Sequence, residues 1–290
     1  MSLDINQLHH HMIYPVVRVR TAKAGGSGTI IYSKMHDDEG ITFVLTNFHV
    51  VEDAISFDDK WDGLAGRDVK TEIRAPVNVE LFKYRHMSWE EGVHTVQADI
   101  VAWDATFDLA LLQLRSSEVQ PFVGNLYPRD LVKDLRIGME TLTVGCSLGH
   151  KPIPSQVGLI TSLDESIENQ RWWMTSSPGI FGNSGGACFH VGRLELLGIP
   201  SRIAVTIIGW GGSAVTWLCY LIPVTRIYGW LEEMCYDFIF DTGKTYDGCR
   251  KLREEKADDL REAWETRFRR ERNIAQGGTG VSPDSSILPE

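Results

Sequence analysis

Between residues 13 and 220, apolar residues come in short runs separated by polar or glycine-rich segments. In order the runs are IYPVVRV, GTIIYS, ITFVLTN, VNVELFKY, ADIVAW, DLALLQL, ETLTVG, QVGLITS, RWWMTS, LELLGIP and AVTIIGW. Val, Ile, Thr and aromatic side chains dominate them, and Gly, Pro, Asp or Asn often stand between, which is the chemistry of strands and turns. A succession of short strands without intervening long helices predicts an all-β fold, either a sandwich or a pair of barrels. The Asp- and Gly-rich stretch 52–72 breaks the pattern and is expected to be a long surface loop.

After Pro223 the pattern changes. VTRIYGWLEEMCYDFIF predicts a helix that returns to an apolar surface. Residues 247–273 are strongly charged, with Leu252, Leu260, Trp264 and Phe268 at multiples of four, a narrow apolar stripe on a solvated helix that Lys256 interrupts. The Gly/Ser/Pro-rich stretch 275–290 is expected to be a disordered tail.

Composition narrows the class. The chain has 290 residues, 29 basic and 39 acidic, for a net charge of −10. That balance opposes nucleic-acid binding, which rests on cations neutralising phosphates. No apolar run is long enough to span a bilayer, and the N-terminus lacks the basic start and apolar core of a signal peptide. Five cysteines, at 146, 188, 219, 235 and 249, are an odd number with neither paired nor zinc-ligand spacing. A cytoplasmic protein with reduced thiols and no metal is expected. The triplet His9–His10–His11 carries no more than adventitious metal affinity.

Three short motifs carry chemistry. Gly182-Asn183-Ser184-Gly185-Gly186 places a serine in a turn whose glycines allow close backbone approach. Successive N–H groups in such a turn can converge on a developing oxyanion, although a plain glycine turn reads the same way. His49, in TNFHVV after the strand ITFVL, is placed to act as a base; a core or surface histidine is the bland alternative. Asp108, in TFDLALL, lies among apolar residues, and a buried carboxylate needs a partner such as an imidazole. Each motif is ambiguous alone. Their order, His49 then Asp108 then Ser184, is that of the chymotrypsin triad.

With these motifs the chain resembles the trypsin/chymotrypsin-like serine proteases, and specifically the HtrA (Deg) type. GSGTII at 26–31, ADIVAWD at 98–104, RIGME at 136–140, VGCSLG at 144–149, VGLITS at 157–162, LGIPS at 197–201 and YLIP at 220–223 are each similar to that family's strands. The resemblance implies a chymotrypsin-like double β-barrel over residues 13–235, with a boundary near 115–135. A helical extension over 236–274 and the tail would follow. It implies catalytic His49, Asp108 and Ser184, an oxyanion hole from Gly182 and Ser184, polypeptide substrates and no cofactor. The substrate pocket would be framed by Pro178, Gly179, Ile180, Phe181, Ser201, Arg202, Ile203, Cys219 and Leu221. Without an acidic residue at its base, apolar or small P1 residues are expected, with Arg202 projecting outward; turned inward, Arg202 would instead favour an acidic residue. Gly209–Ser213 would form a mobile loop near the pocket.

Two departures from the family pattern matter. Asn183 stands where digestive proteases use an aspartate that pairs with a newly cleaved N-terminal amine, and no activation-site motif precedes the barrel, so activity without zymogen cleavage is expected. The chain after 235 is too short for the PDZ module that HtrA proteins usually append. Helix 247–273 would instead dock on the barrels, mediate self-association or bind a partner; docking is favoured because Trp264 and Phe268 need burial. A catalytically silent binding or scaffold module on the same fold is the alternative, since fold does not guarantee chemistry.

Overall fold

The computed structural model describes residues 4–62, 67–208 and 211–259. The first half carries β1 (Val16–Arg20), β2 (Gly25–His36), β3 (Glu39–Thr46), β4 (Ile55–Asp62), β5 (Arg67–Arg74), β6 (Val77–Arg85), β7 (Trp89–Asp104) and β8 (Leu109–Leu114). Six of these close an antiparallel barrel in the order β1-β2-β3-β8-β7-β6. The second half carries β9 (Glu140–Gly145), β10 (Ile153–Pro154), β11 (Gly158–Ile167), β12 (Gln170–Thr175), β13 (Ala187–His190), β14 (Glu195–Ile208) and β15 (Gly211–Pro223). There the order β9-β11-β12-β15-β14-β13 returns to β9 through β13, which closes a second ring. The expected all-β pair of barrels is the fold that forms.

The apolar runs of β3 and β8 are continuous because these strands are buried on both faces, whereas β7 and β11 alternate between buried and exposed positions. Ile30, Val44 and Leu112 join Val19 and Val79 inside the first barrel. Their neighbours Ile31, Phe43, Leu45 and Leu111 belong to a different cluster, together with Leu142, Trp172, Phe189 and Trp230 from the second half. That shared cluster holds the two barrels to each other. The helix Val224–Glu233 adds Ile227, Trp230 and Leu231 to it, at helical spacing. Near the N-terminus Met12 is fully buried in the same cluster.

Several expectations need correction. Residues 55–74 are an antiparallel ribbon, β4 with β5, rather than a loop; the tip, 63–66, lies outside the described residues. The two strands satisfy each other's backbone groups, and a few contacts anchor the ribbon. The Phe57 ring meets Trp103 edge-on at 6.4 Å, Trp103 Nε1 donates to Glu72 at 2.6 Å, and Arg74 donates to the carbonyls of Ile100 and Val101. Of the presumed mobile loop, Gly211–Ser213 is strand, paired with Thr206–Ile208, and 209–210 lie outside the described residues.

The helix expected over 224–240 stops at Glu233. Cys235 takes φ +58°, and the Tyr236 N–H reaches back to the Leu231 carbonyl at 2.7 Å. This is a Schellman ending with cysteine where glycine is usual. Tyr236 and Phe238 then pack on Phe43, with ring centroids 5.5 and 5.8 Å away. Residues 246–259 are helical, but Leu252 is exposed; the inward face is Tyr246, Cys249 and Arg253, whose guanidinium lies 4.0 Å from the Tyr236 ring centre. Leu260, Trp264 and Phe268 lie outside the described residues.

Candidate active site

His49 sits in a single helical turn, Phe48–Val51, that follows β3 directly. Val50 and Val51 are buried inside the first barrel, so the turn is pinned while the imidazole stays 43% exposed. Asp108 precedes β8 with φ +55°, a left-handed conformation that aspartate tolerates better than most residues. Asn47 Nδ2 donates to the Asp108 carbonyl at 2.9 Å and holds it there.

The Asp108 carboxylate accepts from three directions. The His49 backbone N–H reaches Oδ1 at 3.0 Å, His49 Nδ1 lies 3.0 and 2.9 Å from Oδ1 and Oδ2, and Ser201 Oγ donates to Oδ2 at 2.5 Å. A carboxylate only accepts, so Nδ1 carries the ring proton and Nε2 of the neutral ring is left as the acceptor. Ser201, read from sequence as pocket wall, thus also orients the carboxylate.

Ser184 stands in the turn 182–186, where Gly182 has φ +94° and Gly185 φ +82°. A Cβ at Gly182 would fall 2.4 Å from the Cys146 carbonyl oxygen, and one at Gly185 2.1 Å from that of Ser27, so both positions demand glycine. The turn's carbonyls are tied back. Ser27 Oγ donates to the Gly182 carbonyl at 2.6 Å, Ser27 N–H to that of Ser184 at 2.8 Å, and Leu148 N–H to that of Phe181 at 2.7 Å. With the carbonyls held, the N–H groups of Gly182 and Ser184 donate to no carbonyl among the described residues. Asn183 is buried and accepts from Ser147 Oγ at 2.6 Å.

His49 and Ser184 line one cleft of about 290 Å³ together with Gly179, Ile180, Phe181, Ser201, Arg202, Ile203 and Cys219. Two expected pocket residues are absent from this lining: Leu221 is a core side chain, and Pro178 lies outside it. A Cβ on Gly179 would fall 2.6 Å from Cys219 Sγ, so these two walls meet. Arg202 pairs with Glu168 at 2.9 Å, and its guanidinium carbon is 5.0 Å from the centre of the Trp172 ring.

Cys219, which lines the cleft, and the buried Cys146 and Cys188 are poor nucleophiles. Burial pushes the Cys146 and Cys188 thiols up to about 12 and raises that of Cys219 as well, so all three stay protonated near neutral pH. The histidine triplet is dispersed. His9 bonds the Ile5 carbonyl and Ser88, while His10 stacks on Phe122. Among the described residues no group of three or more side chains could hold a metal ion.

Sequence reasoning missed Ser27, a fully buried hydroxyl of the first barrel that also accepts the Cys146 N–H at 2.7 Å. The available signal was a polar side chain between Gly26 and Gly28 in an otherwise apolar strand.

A family model described as a trypsin-like peptidase domain matches residues 26–199. No curated protein sequence matches. Solved structures with a similar fold include the HtrA-type protease AlgW with a tripeptide, at 21% identity and TM-score 0.54, covering 80% of this chain and 63% of that one. The serine endoprotease from Yersinia pestis is similar at 20% identity and TM-score 0.53, over 80% and 67% of the two chains. Deg5 is similar at 17% identity and TM-score 0.53, over 78% and 90%. The chain therefore spans a little under two thirds of the length of AlgW.

Proposed function

Because this chain belongs to the trypsin-like peptidase family, we propose that it hydrolyses peptide bonds with Ser184 as nucleophile, His49 as general base and Asp108 as the group that orients His49. The observation that carries this reading is the imidazole held through Nδ1 by Asp108, with His49 and Ser184 lining one cleft. Ser184 Oγ bonds to the scissile carbonyl carbon as its proton passes to His49 Nε2. The carbonyl oxygen becomes an oxyanion and accepts from the N–H groups of Gly182 and Ser184. The C–N bond then breaks, the proton moves from His49 to the leaving amine, and water releases the acyl group by the same steps in reverse.

A P1 side chain would enter between Gly179 and Ile203, where the contact of Gly179 with Cys219 makes the pocket shallow. Small or apolar P1 residues fit it, and Arg202 is already engaged by Glu168. Activity without zymogen cleavage is supported by Asn183, whose side-chain oxygen already accepts from Ser147 Oγ within the fold. All five cysteines are buried free thiols, consistent with a reducing, cytoplasmic setting.

The test compares wild type with Ser184→Ala on casein and on a P1-varied peptide library. Cleavage after small or aliphatic residues, reduced by at least about 10⁴-fold in the variant, is expected. A folded wild type that cuts nothing would favour a silent scaffold, and preferred cleavage after Lys or Arg would contradict the pocket assignment.

A further inference from the structure

A second hollow, of about 400 Å³, borders the proposed oxyanion glycine Gly182 but not the pocket for P1. Its other walls are Cys146 and Gly149 from the second barrel and the β1–β2 hairpin from Arg18 to Gly26. The hairpin runs beside the nucleophile, since a Cβ on Gly26 would fall 2.9 Å from the Ser184 carbonyl oxygen. With the acyl half of a substrate on the Gly179–Ile203 side, a chain that continues past Gly182 beyond the scissile bond would enter this hollow.

The hollow is basic in a protein whose net charge is −10. Arg18 donates to Glu80 and to the Gly149 carbonyl, which ties the first barrel to the second. Arg20 reaches the same Glu80 only at 3.5 Å and is 58% exposed. Lys23 sits in a tight turn closed by Thr21, whose Oγ accepts the Ala24 N–H at 2.9 Å. Asp53 accepts the Lys23 backbone N–H at 3.0 Å, and no carboxylate among the described residues pairs with the Lys23 ammonium. Three cations thus face two carboxylates, and the under-used charges, Arg20 and Lys23, lie at the hairpin end.

Resting on the peptidase reading above, we propose that this hollow is a carboxylate-binding subsite for the leaving-group side of the substrate. The enzyme selects polypeptides carrying Asp or Glu within the first three residues after the scissile bond. The carboxylate meets Arg20 and Lys23, and Arg18 maintains the wall.

The test uses matched peptides with one P1 residue and either acidic or basic residues at the three positions after the cut, assayed with wild type and with Arg20→Glu/Lys23→Glu. Wild type should favour the acidic peptide by about tenfold in kcat/KM, the scale of two exposed ion pairs. The preference should shrink in 1 M salt, where the Debye length falls to about 3 Å, and should reverse in the double variant. Because the readout is a ratio within one preparation, it does not depend on how much of the variant is folded. Equal cleavage of both peptides by wild type, or a preference untouched by the charge reversal, would overturn this proposal and leave the peptidase reading standing. No cleavage of any peptide would overturn both. Acidic residues placed before the cut instead should give no such gain; if they do, the charge is read elsewhere.

Discussion

The candidate chemistry depends on side chains whose orientation is set by neighbours far away in sequence. Ser27 shows this most clearly. Its hydroxyl donates to the Gly182 carbonyl and accepts the Cys146 N–H, so one residue of the first barrel positions the turn that carries Ser184. Ser27→Ala would leave two buried polar groups unpaired, at about 1–3 kcal/mol each. It would also free the Gly182 peptide to rotate its N–H away from the cleft. We expect kcat to fall by about 10- to 100-fold with KM little changed, and a transition-state-like peptide aldehyde to lose affinity in proportion. Equal loss of affinity for substrate and aldehyde would indicate a merely structural role. The residues of the three local motifs, His49, Asp108 and Ser184, were legible in sequence because glycine, apolar and turn signals lie next to them. Ser27 and the Ser201 contact with Asp108 were not, because their partners lie 155 and 93 residues away.

At the scale of elements, the described residues 236–249 pack into the core that the two barrels share. Phe238 packs edge-on against Tyr32 at 5.1 Å and Tyr246 at 5.4 Å. Phe238→Ala should therefore lower stability by about 3–5 kcal/mol, read from urea denaturation. Leu252→Ala, at an exposed position, should stay within about 0.5 kcal/mol; the opposite ranking would refute the packing described. Periodicity puts Leu252 on a narrow apolar stripe, but within the described residues the inward face is built from Tyr246, Cys249 and the Arg253 guanidinium on Tyr236, with the cation lying on an aromatic ring. The helix stop at Cys235 was hidden because no glycine marks it. The ribbon of β4 and β5 read as a loop because its strands belong to neither barrel and expose most of their side chains, so no apolar run announces them.

For the whole molecule, the double barrel was readable because strands such as β3 and β8 are apolar on both faces and glycines mark close approaches at the cleft. The burial that closes the barrels also fixes how stability responds to alkali. The Cys146 and Cys188 thiols ionise only at about 12 in the folded state, against 9.0 for an unburied thiol. Below pH 9 both states keep these protons. Between pH 9 and 12 only the unfolded chain releases them, so stability should fall as pH rises, by up to about 1.4 kcal/mol per pH unit for each thiol. Cys146→Ser/Cys188→Ala should flatten that fall in denaturation curves taken from pH 8 to 11; an unchanged slope would contradict it. The central claim is that Ser184 is an activated nucleophile, and its most direct test is intact-protein mass after exposure to a fluorophosphonate. One adduct on wild type, mapped to Ser184 and absent from Ser184→Ala, is the predicted result. A folded wild type that gains no adduct, or a Ser184→Ala variant that still gains it, would contradict the claim.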